Sequence, residues 1–304
     1  MLKREFLIAR GFGPDERLDV FLSRRIQDYK RSQFQRFIDK KQVTVNGAFK
    51  KPSYKLKEGD RVEVSLEILE PSGIVPEEIP LDIIYSDAFL AVVNKPAGMI
   101  VHPGAGARKG TLVNALLYHF PEVRDVGEAD RPGIVHRLDK ETSGVMVVAR
   151  RPEAYVELKR QFKDREVKKV YLALVLGKMP MPDGHFDWPI GRHVKHGQRM
   201  SIKTNKPRVA ITEYRLQKEY KDFSLLEIRP LTGRTHQIRV HLSAAGHPLA
   251  GDRRYGASRK PKYKFPRLFL HAQRLGFRHP VSGDRLEFIS PLPAELQSIL
   301  SSVE

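Results

Sequence analysis

The feature that most limits how this chain can fold is the run Val145-Met146-Val147-Val148-Ala149, five apolar residues with no polar break. A half-exposed strand alternates apolar and polar side chains, whereas an unbroken run has to be covered on both faces. The fold therefore needs a sheet with packing layers above and below this strand. The residues just before it, His136-Arg137-Leu138-Asp139-Lys140-Glu141-Thr142-Ser143-Gly144, are polar and charged and end in glycine, so they read as a loop feeding the strand. Asp139 sits in that loop between Arg137 and Lys140. A charged loop backed by a rigid strand is a common way to hold a reactive group. An aspartate there could equally turn the chain or pair with a surface arginine.

With 304 residues the chain can bury about three quarters of its unfolded surface, enough for a large core or two domains. Its 54 Lys and Arg against 36 Asp and Glu give a formal charge of +18. Such an excess repels itself in a compact body, which points to a polyanionic partner. No apolar run reaches spanning length and no basic amphipathic helix stands alone, so nucleic acid is favoured over a membrane. There is no cysteine, which removes disulfides, thiolate zinc sites and cysteine nucleophiles and fits a reducing compartment. Met1-Leu2-Lys3-Arg4-Glu5-Phe6 lacks the apolar core of a signal peptide, and a soluble, cytoplasmic monomer is expected.

Near the front, Leu18, Phe21, Leu22 and Ile26 recur at helical spacing. Ser32 stands three residues before Gln35, a capping-box pattern opening a second helix with Phe34, Phe37 and Ile38 inward. Val43-Thr44-Val45-Asn46-Gly47 predicts a strand and a tight turn, and Val62, Val64 and Leu66 alternate as a half-buried strand. Arg24, Arg25, Arg31, Arg36, Lys40 and Lys41 make this unit's surface basic. Glu70 to Pro80 holds three prolines and no periodicity, an extended linker. The expected division is a domain over 1–70, a linker over 71–80 and a second domain over 81–304.

In the second domain, Ile83 to Tyr85 and Leu90 to Val93 predict a hairpin. Pro103 to Thr111 is glycine-rich but fails as a phosphate loop, because Lys109 precedes its closing Gly110. It reads as a mobile loop, either plain surface or one that touches RNA. Leu112 to Leu117 predicts a core helix, Glu153 to Arg165 an exposed one, and Val167 to Leu176 a strand carrying Tyr171. Phe186 to Ala210 is a basic insertion whose scattered histidines lack the carboxylate or thiolate company of a metal site. Phe223 to Arg229 is a strand. Thr235 is placed to cap a following helix with Ile238, Leu242 and Ala245 inward, which Gly246 and Pro248 end. Phe269 to Ala272 and Leu286 to Phe288 close the sheet.

The stretch His136-Arg137-Leu138-Asp139-x-x-Thr142-Ser143-Gly144 resembles the signature of the RluA-type pseudouridine synthases, RNA-modifying enzymes with one essential aspartate. A second block matches too, Arg229-Pro230-Leu231-Thr232-Gly233-Arg234-Thr235-His236-Gln237-Ile238-Arg239-Val240-His241 followed by Gly246-His247-Pro248-Leu249-Ala250-Gly251-Asp252. At the front, Arg17-Leu18-Asp19, Ser32, Val43-x-Val45-Asn46-Gly47, Lys51-Pro52-Ser53 and Gly59-Asp60 resemble the S-four-like RNA-binding module. The resemblance implies an α+β protein: a small helical/β RNA-binding domain, then a catalytic domain with a mixed, mainly antiparallel sheet flanked by helices and loops.

It also implies roles. Asp139 would be the catalytic carboxylate, Tyr171 would lie against the target base, and Arg239 would pair with Asp139. Arg137 would fill the gap left by the turned-out nucleotide, and the front module's Arg24, Arg25, Arg31, Arg36, Lys40 and Lys41 would meet phosphates. Arg234, just before a helix start, is placed for phosphate. The isomerisation moves no electrons to a carrier, so no cofactor or metal is expected, and the partner is RNA. The match looks closest to members acting on large-subunit ribosomal RNA or its precursor particle, with transfer RNA the alternative. Whether Asp139 attacks as a nucleophile or takes a proton from the ribose stays open. Two rivals remain, a non-catalytic RNA-binding or ribosome-assembly factor and a hydrolase. The second lacks a nucleophile elbow, since Glu141 stands where Gly-x-Ser-x-Gly needs its first glycine before Ser143.

Overall fold

The computed structural model describes residues 2–8, 15–26, 29, 31–67, 74–104, 109–194, 199–256 and 265–304. The chain divides into two compact units, Met1–Ser72 and Gly73–Glu304.

In the first unit, strands β1 (Leu2–Ile8), β2 (Val43–Val45) and β3 (Arg61–Glu67) form an antiparallel sheet in the order β1-β3-β2. Helices α1 (Leu18–Arg25) and α2 (Arg31–Asp39) pack with it through Phe21, Leu22, Phe34, Ile38, Val45, Val62 and Val64, all buried. The two helices are tied by fully buried Asp19, which accepts from Arg17 Nε at 3.0 Å, Arg31 Nε at 3.0 Å and Gln35 Nε2 at 2.6 Å. The predicted capping box is absent: α2 starts at Arg31, which puts Ser32 inside the helix and turns Gln35 onto Asp19. Strand β1 is an element the sequence pattern does not announce.

The second unit is built on β4 (Asp82–Ser86), β5 (Leu90–Lys95), β6 (Ser143–Ala149), β7 (Lys168–Leu176), β8 (Asp183–Phe186), β9 (Thr212–Glu219), β10 (Phe223–Pro230), β11 (Leu270–Arg278) and β12 (Arg285–Ile289). Among the described residues they make one nine-stranded sheet in the order β8-β9-β10-β7-β11-β6-β5-β4, with β12 on β11. Every pairing is antiparallel except β11 with β6, so the sheet is mixed and mainly antiparallel as expected.

All seven residues of β6 are buried. Met146 and Val148, with Ala91 and Val93 of β5, face helix α3 (Leu112–His119), capped by Thr111 as a capping box with Asn114. Val145, Val147 and Ala149 face the opposite side, under α4 (Pro152–Lys163). Further along the sheet, α5 (Gln237–Ala244) covers Ala173, Leu226 and Ile228 through Ile238 and Leu242. On the other face, α6 (Ala294–Ser302) covers Leu174 and Phe223. Burying side chains of this size contributes roughly 1.5–3 kcal/mol each, and their alternation in β5 and β6 is what forces a layer on each face. Helix α6 is likewise unannounced in the sequence pattern.

Of the linker, residues 74–80 are described and carry no regular secondary structure. Positions 105–108 of the glycine-rich stretch and 195–198 of the basic insertion, which include Lys195 and His196, lie outside the described residues. The remainder of that insertion forms a two-residue pairing of Gly191–Arg192 with Met200–Ser201.

Candidate active site

Where β6 begins, it lies tightly against β11. Gly144 has φ +121°, and a Cβ there would lie 2.2 Å from the Ala272 carbonyl oxygen of β11, so only glycine fits. Next to it, Ser143 Oγ meets His271 Nδ1 at 2.9 Å and accepts from Arg267 Nη2 at 2.9 Å. This fixes the downstream end of the Asp139 loop.

The loop itself is pinned through three successive carbonyls. Asp139 O accepts from Thr142 N at 3.1 Å. Lys140 O accepts from Gly98 N at 2.8 Å and from Lys95 Nζ at 3.2 Å. Glu141 O accepts from Arg267 Nη1 at 3.2 Å. Lys95 ends β5 wholly buried and also donates to Pro96 O at 2.8 Å and Met99 O at 2.9 Å. Burial pushes its ammonium down to about 7, against the pull of Glu141 and Asp139. Upstream, His136 stacks on Phe162 and accepts the Val147 N–H at 3.1 Å. Burial and Lys169 hold it neutral, pushed down to about 3.

So held, the Asp139 side chain points at α5. Its Oδ2 lies 3.3 Å from Arg239 Nη1 and 3.9 Å from His236 Nε2. Arg239 is the third residue of α5 and buried, and its remaining edge forks onto Asp252, with Nε to Oδ2 at 2.8 Å and Nη2 to Oδ1 at 2.9 Å. Burial pushes the Asp252 carboxyl up, but Arg239 and the backbone N–H groups of Arg254 and Tyr255 more than offset it and leave it below its ordinary value. One guanidinium thus faces two carboxylates, and the fork to Asp252 fixes where its third nitrogen aims.

The helix start differs from the sequence expectation. Thr235 does not cap α5; the residue at the boundary is His236, left-handed at φ +55° and without a side-chain cap bond. A non-glycine residue there costs about 1–3 kcal/mol, and the His236 Nδ1 contact to Tyr255 Oη at 2.8 Å helps hold it. Gln237 does the tying instead: its Oε1 accepts from Arg234 N at 2.9 Å and Thr232 Oγ1 at 2.7 Å.

Asp139, Tyr171 and Arg239 line one cleft of about 470 Å³, together with Arg137, Lys169, Arg234 and His236. That volume lies in the range of small-molecule sites. Tyr171 is partly buried on β7 against the cores under α3 and α5. Burial, with the Asp139 charge beside it, pushes its phenol well above the ordinary value, so it is a neutral O–H. Arg137 is exposed, its Nη1 3.3 Å from His102 Nε2, and Arg234 spends its Nε on Val209 O at 3.0 Å. The front-unit cations Arg24, Arg25, Arg31, Arg36, Lys40 and Lys41 are exposed on and after α1 and α2, with Arg24 on Glu16 and Arg31 on Asp19. Among the described residues, no three His, Asp or Glu side chains converge as metal ligands would, and no helix is long and apolar enough to cross a membrane. Sequence reasoning left Lys95, Lys169, His236 and Asp252 without roles, although the last two fall within the second motif block.

Two family models match the chain, RNA pseudouridylate synthase over residues 90–244 and the S4 domain over residues 16–62. The chain belongs to the RNA pseudouridylate synthase family. A protein of Aquifex aeolicus described as an uncharacterized RNA pseudouridine synthase is 44% identical over 309 residues, 99% of this chain and 98% of that one. The ribosomal large subunit pseudouridine synthase D of Yersinia pestis is 40% identical, covering 95% of this chain and 91% of its own. Among solved structures, human RNA pseudouridylate synthase domain containing 1 superposes with a TM-score of 0.58 at 30% identity, over 77% of this chain and 97% of that one. The synthase family is one of isomerases acting on RNA, and the matched region holds Asp139, Tyr171 and Arg239.

Proposed function

We propose that this chain isomerises uridine to pseudouridine in RNA of the large ribosomal subunit, with Asp139 as its one catalytic carboxylate and no cofactor. The observation that carries the reading is the Asp139–Arg239 pair in a protein-walled cleft beside Tyr171. The reaction breaks the bond from uracil N1 to ribose C1′, turns the base, and joins C5 to C1′. The C5 hydrogen leaves as a proton and N1 gains one, so nothing is oxidised or reduced. Asp139 either attacks as a nucleophile or removes the C2′ proton; Arg239 Nη1, 3.3 Å from its Oδ2, orients the carboxylate in both cases. Tyr171 offers an uncharged ring to the loosened base. Arg137 stands at the cleft mouth, where it can fill the space a turned-out nucleotide leaves in its stack.

The substrate reading is supported by relatives named ribosomal large subunit pseudouridine synthase D, about 40% identical across nearly the whole chain. The test is incubation of the purified protein with unmodified large-subunit ribosomal RNA and with transfer RNA, followed by pseudouridine mapping. The reading expects new pseudouridine at one or a few sites in the ribosomal RNA. Modification of transfer RNA alone, or of neither, would overturn it.

A further inference from the structure

Among the described residues, Lys169 is a cation without a counter-charge. It lies two residues before Tyr171 on β7, and both side chains line the cleft that holds Asp139. Its Nζ has one long contact, 3.5 Å to the Thr232 carbonyl. Among the described residues it makes no ion pair, nor do Lys163 and Arg165, which line the same wall. By contrast, Asp139 is matched by Arg239, and Arg239 in turn by Asp252.

We propose that Lys169 is a binding residue for one of the two phosphates flanking the target uridine, so that the strand presenting Tyr171 to the base also sets the position of its backbone. This rests on the functional reading above and names a contact within it. Residues i and i+2 of a strand share a face and stand about 7 Å apart, comparable to the step from a nucleobase to its neighbouring phosphate. A uracil carbonyl is a neutral acceptor and would leave the ammonium uncompensated; the anion a ribonucleotide brings is phosphate. Burial and Arg165 push Lys169 down to about 8, the condition of a charge waiting for a partner. An anion in that place supplies the counter-charge Lys169 lacks, within reach of the Arg165 and Lys163 side chains that line the same cleft.

The test measures affinity in an Asp139→Asn background, so that RNA is bound without turnover. RNAs carry one methylphosphonate, 5′ or 3′ of the target, with a 2′-deoxy sugar at the modified linkage and in the matched control. The proposal expects one methylphosphonate to weaken binding about tenfold, as loss of a charged hydrogen bond does. Adding Lys169→Met should weaken binding of the control RNA by a similar factor and leave that methylphosphonate with less than a twofold further effect. Lys169→Arg should recover most of the loss, and thermal melting confirms that each variant is folded. If neither methylphosphonate matters, or if its effect is undiminished in Lys169→Met, the proposal is wrong. Turnover of unmodified RNA by the unaltered protein is measured alongside; its failure would strike the functional reading rather than this contact.

Discussion

A carboxylate walled into a cleft gives up much of its water, and a fixed cation beside it supplies the hydrogen bond and the counter-charge that water no longer does. Arg239 supplies that cation, but its own aim is set by Asp252, through two short bonds on the opposite edge. Lysine could reach one of the two carboxylates and not both. Arg239→Lys is therefore expected to cut single-turnover pseudouridine formation by about 10²–10³-fold while weakening RNA binding only a fewfold. Equal losses in rate and affinity would argue that Arg239 binds RNA rather than serving Asp139. The pairing of Asp139 with Arg239 was legible because both motif blocks were. The part of Asp252 was not, since a buried carboxylate that orients an arginine leaves the same letters as one that turns a loop.

At the level of elements, the doubly covered strand β6 follows from its composition, and the loop before it follows from charge and glycine. What makes the loop rigid was not readable, because its carbonyls take donors from far along the chain: Lys95 and Gly98 on one side, Arg267 on the other. Lys95→Met would leave the carbonyls of Pro96 and Met99 without this donor and cost about 1–3 kcal/mol in urea unfolding. Its pH dependence has a definite sign. The folded group titrates at about 7 and the unfolded one near 10.4, so in between the unfolded chain binds the extra proton and stability rises with pH. The stability gap between wild type and Lys95→Met should widen from pH 7 towards 10; a gap constant with pH would mean Lys95 titrates normally. Strand β1 escaped the sequence reading because its partner β3 lies some sixty residues away. The Thr235 cap failed because His236, held by Tyr255, takes the left-handed place.

Across the whole molecule, the charge of +18 is the physical ground for an RNA partner, and the front unit with its exposed Arg25, Arg36, Lys40 and Lys41 carries part of it. Every cation that meets a phosphate steepens the dependence of affinity on salt, and removing it makes that dependence shallower. Deleting residues 1–72 is expected to weaken RNA binding and reduce the slope by several units while sparing turnover of a minimal RNA; an unchanged slope would show that the unit does not touch phosphates. The architecture was legible at this scale because two motif blocks and a front module each matched in order, whereas the identity of the target uridine is written in none of them. The account as a whole stands on Asp139, and its most direct test is tritium release from RNA labelled at uridine C5 by Asp139→Asn, with RNA binding measured alongside. The expected result is normal binding with no tritium released above background; release at a measurable fraction of the wild-type rate would contradict it.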